Sequence, residues 1–258
     1  MSSSLQQLID AWNCVRFAPG KRNILDGDAV AIEGTNKERY LASWQDLIAS
    51  DDFGKHDGCE LHLGLLPMPY LGNLRRARVY LCSLNPGIGP HDYFGEHHVA
   101  EYREALLKNL RQDEDVAFPF LEPKHSWHGG SAYWGPRFRD ITKAIQDQIK
   151  VNSRQALEIC SQNIAVLELV PYHSATFKLN RGTIDRLEST RLMREFVFGE
   201  LLARHRRGDC KLIVLRSRDL WLRPSDDAPD FPVPTMPRNA YVARSEAKAA
   251  ADTICRFV

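Results

Sequence analysis

The chain lacks paired cysteines: its six stand at 14, 59, 82, 160, 210 and 255, with no C-x-x-C spacing. Such scatter argues against a four-cysteine iron–sulfur site and for free thiols, several of them buried. Long apolar runs are missing too, so no membrane span is expected. The start, Met1-Ser-Ser-Ser-Leu-Gln-Gln, has neither a basic stretch nor an apolar one, which makes a secretion signal unexpected and the cytoplasm the default location. There is no G-x-x-x-x-G-K-[ST] phosphate loop and no G-x-S-x-G nucleophile elbow, and Gly87-Ile-Gly89 is too short for a dinucleotide fingerprint. His97-His98 and His125-x-x-His128 lack a helical H-E-x-x-H frame, so neither a metal nor another cofactor is expected. Internal repeats and low-complexity tracts are likewise absent.

What is present is ordinary globular material: 258 residues, 43% hydrophobic and 26% charged, enough to bury a sizeable core. The formal net charge of +1 hides an asymmetry. Residues 1–128 carry 13 Lys and Arg against 18 Asp and Glu, whereas residues 129–258 carry 21 against 15. A basic second half suits a phosphate-bearing partner without demanding one.

Three short apolar runs read as buried strands: Val79 to Leu84, Ile164 to Val170 and Lys211 to Arg216. Asn239 to Ala243 is a candidate fourth. Helical spacing predicts helices over Ser4–Asn13, within 40–50, over about 97–112, from Gly135 to about Lys150, over 154–162 behind a Ser153 cap, over 188–207, and over 245–257 behind Ser245. Residues 51–74 read as irregular, Gly89 to Gly95 as a loop with two aromatic rings, and the five-proline stretch 223–237 as another loop. Strands alternating with helices imply an α/β fold, a parallel sheet covered on both faces. One domain over 1–258 is the economical reading, with residues 1–64 as an elaboration packed on it.

In such a sheet, ligands bind beyond the carboxyl ends of the strands. Those ends carry Asn85, then Tyr172-His173-Ser174, then Arg216 to Arg218, with Arg238-Asn239 as a fourth group. Parallel strands would bring them to one rim. A carboxamide, an imidazole and several guanidiniums there suit a polar ring joined to phosphates. Asn85 is singled out because Pro86 stiffens its turn and Gly87 lets a ligand approach the backbone.

Arg78-Val-Tyr-Leu-Cys-Ser-Leu-Asn-Pro-Gly87 resembles the first motif of the uracil-DNA glycosylase superfamily, nearest to its mismatch-specific and thymine-glycosylase type; the approach Pro67-x-Pro-x-x-Gly72 is similar to that of further members. The resemblance spans about residues 65–258. It implies a three-layer α/β/α sandwich around a four-stranded parallel sheet. It also implies a monofunctional enzyme that hydrolyses the N-glycosidic bond of a flipped, damaged or modified base in DNA. Carried over, Asn85 would position the attacking water and His173 would donate to the departing base. Pro86, Gly87, Tyr93, Phe94 and Tyr172 would surround that base. Arg216, Arg218, Arg238, Asn239 and Arg244, with Arg223, would hold phosphates. The family's last motif has no good match; Pro237 to Arg244 occupies its place, with Asn239 standing in for the leading residue. Two other readings stay open: a nucleic-acid-binding protein on the same fold without catalysis, and a hydrolase or transferase of a small nucleotide. The oligomeric state is not read from the sequence.

Overall fold

The computed structural model describes residues 2–18, 20–55, 57–222 and 241–258. Its strands in chain order are β1 (Glu38–Arg39), β2 (Leu61–His62), β3 (Tyr70–Leu71), β4 (Val79–Ser83), β5 (Ile164–Glu168) and β6 (Lys211–Val214). The chain divides into two compact units. The first gathers Met1–Pro69, Leu84–Arg111 and Glu168–Phe196; the second gathers Tyr70–Ser83, Gln112–Leu167 and Val197–Val258. No helix of the described residues is long and apolar enough to cross a membrane. The six cysteines form no disulfide, and Cys82, Cys160 and Cys210 are buried.

The second unit is built on a mixed sheet of order β3-β5-β4-β6. β4 and β6 run parallel, Val79 opposite Lys211 and Cys82 opposite Val214. The β4–β5 pairing also advances in one direction, because Arg78 N–H donates to Asn163 O and Val170 N–H to Leu84 O, each at 2.9 Å. β3 pairs antiparallel to β5, Tyr70 opposite Leu167. The fold is therefore α/β with a mostly parallel sheet, and the expected four-stranded all-parallel sheet is corrected. Only residues 72–78 separate β3 from β4, too few for the crossover that two parallel strands require, so the chain reverses. The stretch expected as a fourth parallel strand contributes nothing to this sheet. Tyr241–Ala243 is not in a strand, and Asn239-Ala240, like the loop expectation for 223–237, lies outside the described residues.

Every residue of β4 and β5 is buried, which explains their unbroken apolar character: both faces are covered, so neither alternates. In the second unit, helix Arg244–Cys255 packs on helix Gly129–Ile149 and reaches β4 and β6, while Leu202–Arg206 also meets β6.

The first unit holds the short parallel pair β1–β2, Glu38 opposite Leu61. Its helix Ser4–Asn13 buries Leu5, Leu8, Ile9 and Trp12 against Ala100–Arg111 and Glu188–Phe196, and is capped by Ser3 Oγ accepting from Gln6 N–H at 3.2 Å. Two expectations change here. The stretch expected as a loop, 89–95, is the start of a helix, Pro90–His98. Pro90 fits the first helical position because it needs no N–H there, and Asp92 Oδ2 accepts from Gly89 N–H at 2.7 Å. Val99 then separates this helix from Ala100–Arg111, where a single helix over 97–112 was expected. In the second unit the cap of Ser153–Asn163 is Asn152, whose side chain accepts from Gln155 N–H at 2.9 Å, rather than Ser153.

Gly72 makes the reversal after β3 possible. Its φ is +90°, and a Cβ there would lie 2.3 Å from Ile164 O. Gly72→Ala is expected to destabilise the chain by about 2 kcal/mol or more in urea denaturation, conformational strain and a backbone clash adding. Gly34→Ala, at φ +74° with nothing within 4 Å, should lose only about 1 kcal/mol, so equal losses would remove the clash from the explanation.

Candidate functional site

Where β4 ends, the backbone enters the first unit as Leu84-Asn85-Pro86-Gly87. Its neighbour is the chain leaving β5. Val170 N–H donates to Leu84 O, and Ser174 N–H to Pro86 O at 3.3 Å, so the two segments stay in step beyond the strands. Asn85 is half-buried between them. Its Nδ2 donates to Pro86 O at 2.8 Å and to Ser174 Oγ at 2.9 Å. Both amide hydrogens are thereby committed, and Oδ1 has no protein donor among the described residues.

His173 lies beside this loop and is 1% exposed. Nδ1 meets Gly87 O at 2.7 Å and Nε2 meets Leu66 O at 3.2 Å, while its own carbonyl accepts from His62 N–H at 2.9 Å. The ring is a clamp between the loop after β4 and the segment after β2. Both nitrogens face backbone carbonyls, so the ring bridges the two segments. Tyr172 points elsewhere: its hydroxyl donates to Asp28 Oδ2 at 2.5 Å and accepts from Leu25 N–H at 3.3 Å. Asp28 Oδ1 accepts from Ser189 N–H at 3.0 Å. Burial pushes the Asp28 carboxyl and the Tyr172 phenol up. Tyr172 thus ties the helix Asp26–Ile32 to the strand end.

The two aromatic candidates part company on their helix. Tyr93 is fully buried, packs with Leu41, Leu47 and Leu65, and shares a hydrogen bond of 3.1 Å between its hydroxyl and His62 Nδ1. Phe94 is exposed and meets Trp44 edge-on at 5.7 Å; Trp44 meets the exposed Phe53 edge-on at 6.0 Å. One turn on, Glu96 is buried, its carboxylate oxygens accepting from Leu66 N–H at 3.1 and 3.0 Å with Arg103 Nη1 at 3.4 Å.

A half-open depression with a cavity volume of only about 30 Å³ adjoins the loop, lined by Ile88-Gly89-Pro90 and Ala175 and by Asp52, Lys55, Glu60 and His62. Arg39 Nε pairs with Asp52. Burial pulls the His62 imidazole down to about 4, so it is neutral near pH 7. His62, Asp52, Lys55 and Glu60 come from the stretch read as irregular. Their one local signal is the apolar alternation Leu61-His62-Leu63 around β2.

The arginine candidates belong to the second unit. Arg216 is exposed, with Nη2 donating to Tyr133 OH at 2.7 Å; Arg218 opens the short helix Arg218–Trp221; Arg244 is exposed at the start of Arg244–Cys255. Arg223, Arg238 and Asn239 lie outside the described residues. The paired histidines are each engaged locally. His97 stacks on Tyr93 at 6.1 Å, His125 Nδ1 meets Pro119 O at 2.9 Å, and His128 Nδ1 accepts from Gly130 N–H at 3.0 Å to cap its helix. The segments of the first unit carry 14 Lys and Arg against 18 Asp and Glu, those of the second 20 against 15, so charge is sorted between the units.

No protein-family model, curated protein or solved structure matches this chain.

Two buried groups are open to test. Tyr172→Phe removes one donor from Asp28 and one acceptor from Leu25, and should cost about 1–3 kcal/mol in urea denaturation. Burial, opposed by the Leu66 amide and Arg103, pushes the Glu96 carboxyl up to about 8 from an ordinary 4.5. The folded chain therefore holds that proton more tightly than the unfolded chain. This stabilisation is complete below pH 4.5 and is lost as pH rises toward 8. Glu96→Gln cannot ionise, so its stability relative to the parent chain should increase between pH 5 and pH 9; a difference that ignores pH would exclude Glu96 as the cause.

Proposed function

We propose that this chain is a monofunctional base-excision glycosylase related to the uracil-DNA glycosylase superfamily. It hydrolyses the N-glycosidic bond of a damaged or modified base turned out of DNA. The observation that carries this reading is the Asn85 carboxamide. Its two N–H groups are spent on Ser174 Oγ and Pro86 O, so its Oδ1 is held in one direction as an acceptor at the end of a central strand.

That is the group the chemistry needs. Breaking the bond builds positive charge on the sugar and negative charge on the leaving base. A fixed carbonyl oxygen accepts a hydrogen bond from water, aims its lone pair at the anomeric carbon and places a partial negative charge beside the sugar cation. Holding the water costs no reorganisation at the moment of reaction, because Ser174 and Pro86 have already oriented the amide.

The leaving base needs a donor on its other side. In this reading His62 fills that role and His173 supports the loop. His62 Nδ1 shares a hydrogen bond with the Tyr93 hydroxyl; in the tautomer in which the hydroxyl donates, the proton of the neutral ring stands on Nε2, which has no protein partner among the described residues. In this reading the depression lined by His62 and Ile88–Pro90, about 30 Å³ in volume, must widen to receive the base, and Phe94 and Phe53 offer exposed ring surface. Extrusion costs a few kcal/mol, least for a mismatched or damaged base, which is one source of selectivity.

Single-turnover base release from oligonucleotides carrying uracil, hypoxanthine, mismatched thymine or hypermodified pyrimidines tests the proposal. Asn85→Ala should slow release by about 10²-fold or more while oligonucleotide affinity stays within about threefold. Ser174→Ala frees the amide to rotate and should fall between the two. Equal loss of release and affinity would reduce Asn85 to a structural turn residue. Turnover of free nucleotides alone would assign small-nucleotide chemistry instead.

A further inference from the structure

Within the second unit, Arg137 is stacked between two tyrosines. Its Cζ lies 3.4 Å from the Tyr133 ring centroid and 4.7 Å from that of Tyr241. Nη1 donates to Tyr133 O at 2.6 Å, which fixes the guanidinium plane, and Arg216 Nη2 holds the Tyr133 hydroxyl at 2.7 Å. The group lies at the surface: Tyr241 and Arg216 are exposed, and Tyr133 and Arg137 are half-buried. Arg216 has no acidic partner among the described residues, and neither have Arg244 and Lys248, which follow Tyr241 on the next helix. We propose that Tyr133, Arg137, Tyr241 and Arg216 form a platform for single-stranded nucleic acid.

Flat rings offer π faces on which bases stack whatever their sequence, and the guanidinium packed against both rings holds them in place and adds positive charge. The exposed Arg216 is placed to meet phosphates. A duplex buries the faces of its bases, so a strand with unstacked bases is the partner that uses all four groups. Because Arg137 and Tyr133 are held together before binding, little side-chain freedom is lost on contact. Asp140, Asp147 and Asp252 share the surface with Lys143, Arg244 and Lys248, which confines the anion-attracting part to the Tyr241–Arg216 end. The inference rests on the nucleic-acid part of the reading above and not on base release.

The test is fluorescence anisotropy of a labelled oligothymidylate with the full chain, over a range of salt. Tyr241→Ala should weaken binding roughly 5- to 100-fold, and Tyr241→Phe, which keeps the ring, should stay within about twofold. Arg216→Ala should make the slope of log K against log salt shallower by about 0.7, the change expected for one lost phosphate contact on a single strand. Arg137→Ala should resemble Tyr241→Ala; should it fail to fold, the surface variants at 241 and 216 decide. Absence of binding by the unmodified chain overturns the platform, as does undiminished affinity of Tyr241→Ala. Binding of polyglutamate with the same sensitivity to Tyr241→Ala would also overturn it, in favour of an acidic protein partner. Strand binding through these residues with no base released from any oligonucleotide would uphold the platform while removing the glycosylase reading.

Discussion

The hydrogen bonds that continue past the ends of two neighbouring strands hold the first unit's loop in place. Leu84 O and Pro86 O accept from Val170 and Ser174, Asn85 reaches Ser174 Oγ, and His173 reaches Gly87 O. Sheet pairing ordinarily ceases where strands stop. Here it persists for several residues through backbone and side-chain groups in turn, so a loop with a proline and two glycines keeps one conformation. A carboxamide on a wandering loop would be a turn residue. Clamped on both N–H groups, it becomes an oriented acceptor.

Burial then sets the electrostatic character of the surroundings. His62 is driven to its neutral form and Glu96 is held to its proton well above the ordinary carboxylate range, both chiefly because charge is costly away from water. Asp28 and Tyr172 satisfy one another and the amides around them, so that polar group supports the fold and leaves the depression to other residues. A neutral imidazole beside mixed carboxylates and an ammonium is a poor place for a phosphate. Positive charge collects instead in the segments of the second unit, where an ordered guanidinium lies between phenol rings.

Three strands of the sheet are written in local pattern. The runs at 79–83, 164–168 and 211–214 are apolar without alternation because both faces are covered, and Pro or Gly closes the first two within a few residues. Helix Ser4–Asn13 announces itself by spacing and by Ser3. Pro90 and Asp92 mark a helix start, but Gly87, Gly89 and two aromatic rings give the same stretch the composition of a loop. β3 left no such trace: two residues have no period, and Tyr70–Leu71 is a strand only because β5 lies beside it.

Residue order alone thus determined that 79–83, 164–168 and 211–214 are strands, that Ser4–Asn13 is a helix and that a polar side chain follows the first of those strands, since those outcomes depend on propensity, periodicity and turn chemistry over a few residues. Tertiary structure alone decided that Asn85 is clamped by Ser174, that Tyr93 and Tyr172 are spent on the core, and that His62 shares a depression with residues 88–90. These are meetings between groups tens of residues apart, governed by burial and by the need to satisfy every enclosed donor and acceptor. No local pattern encodes them.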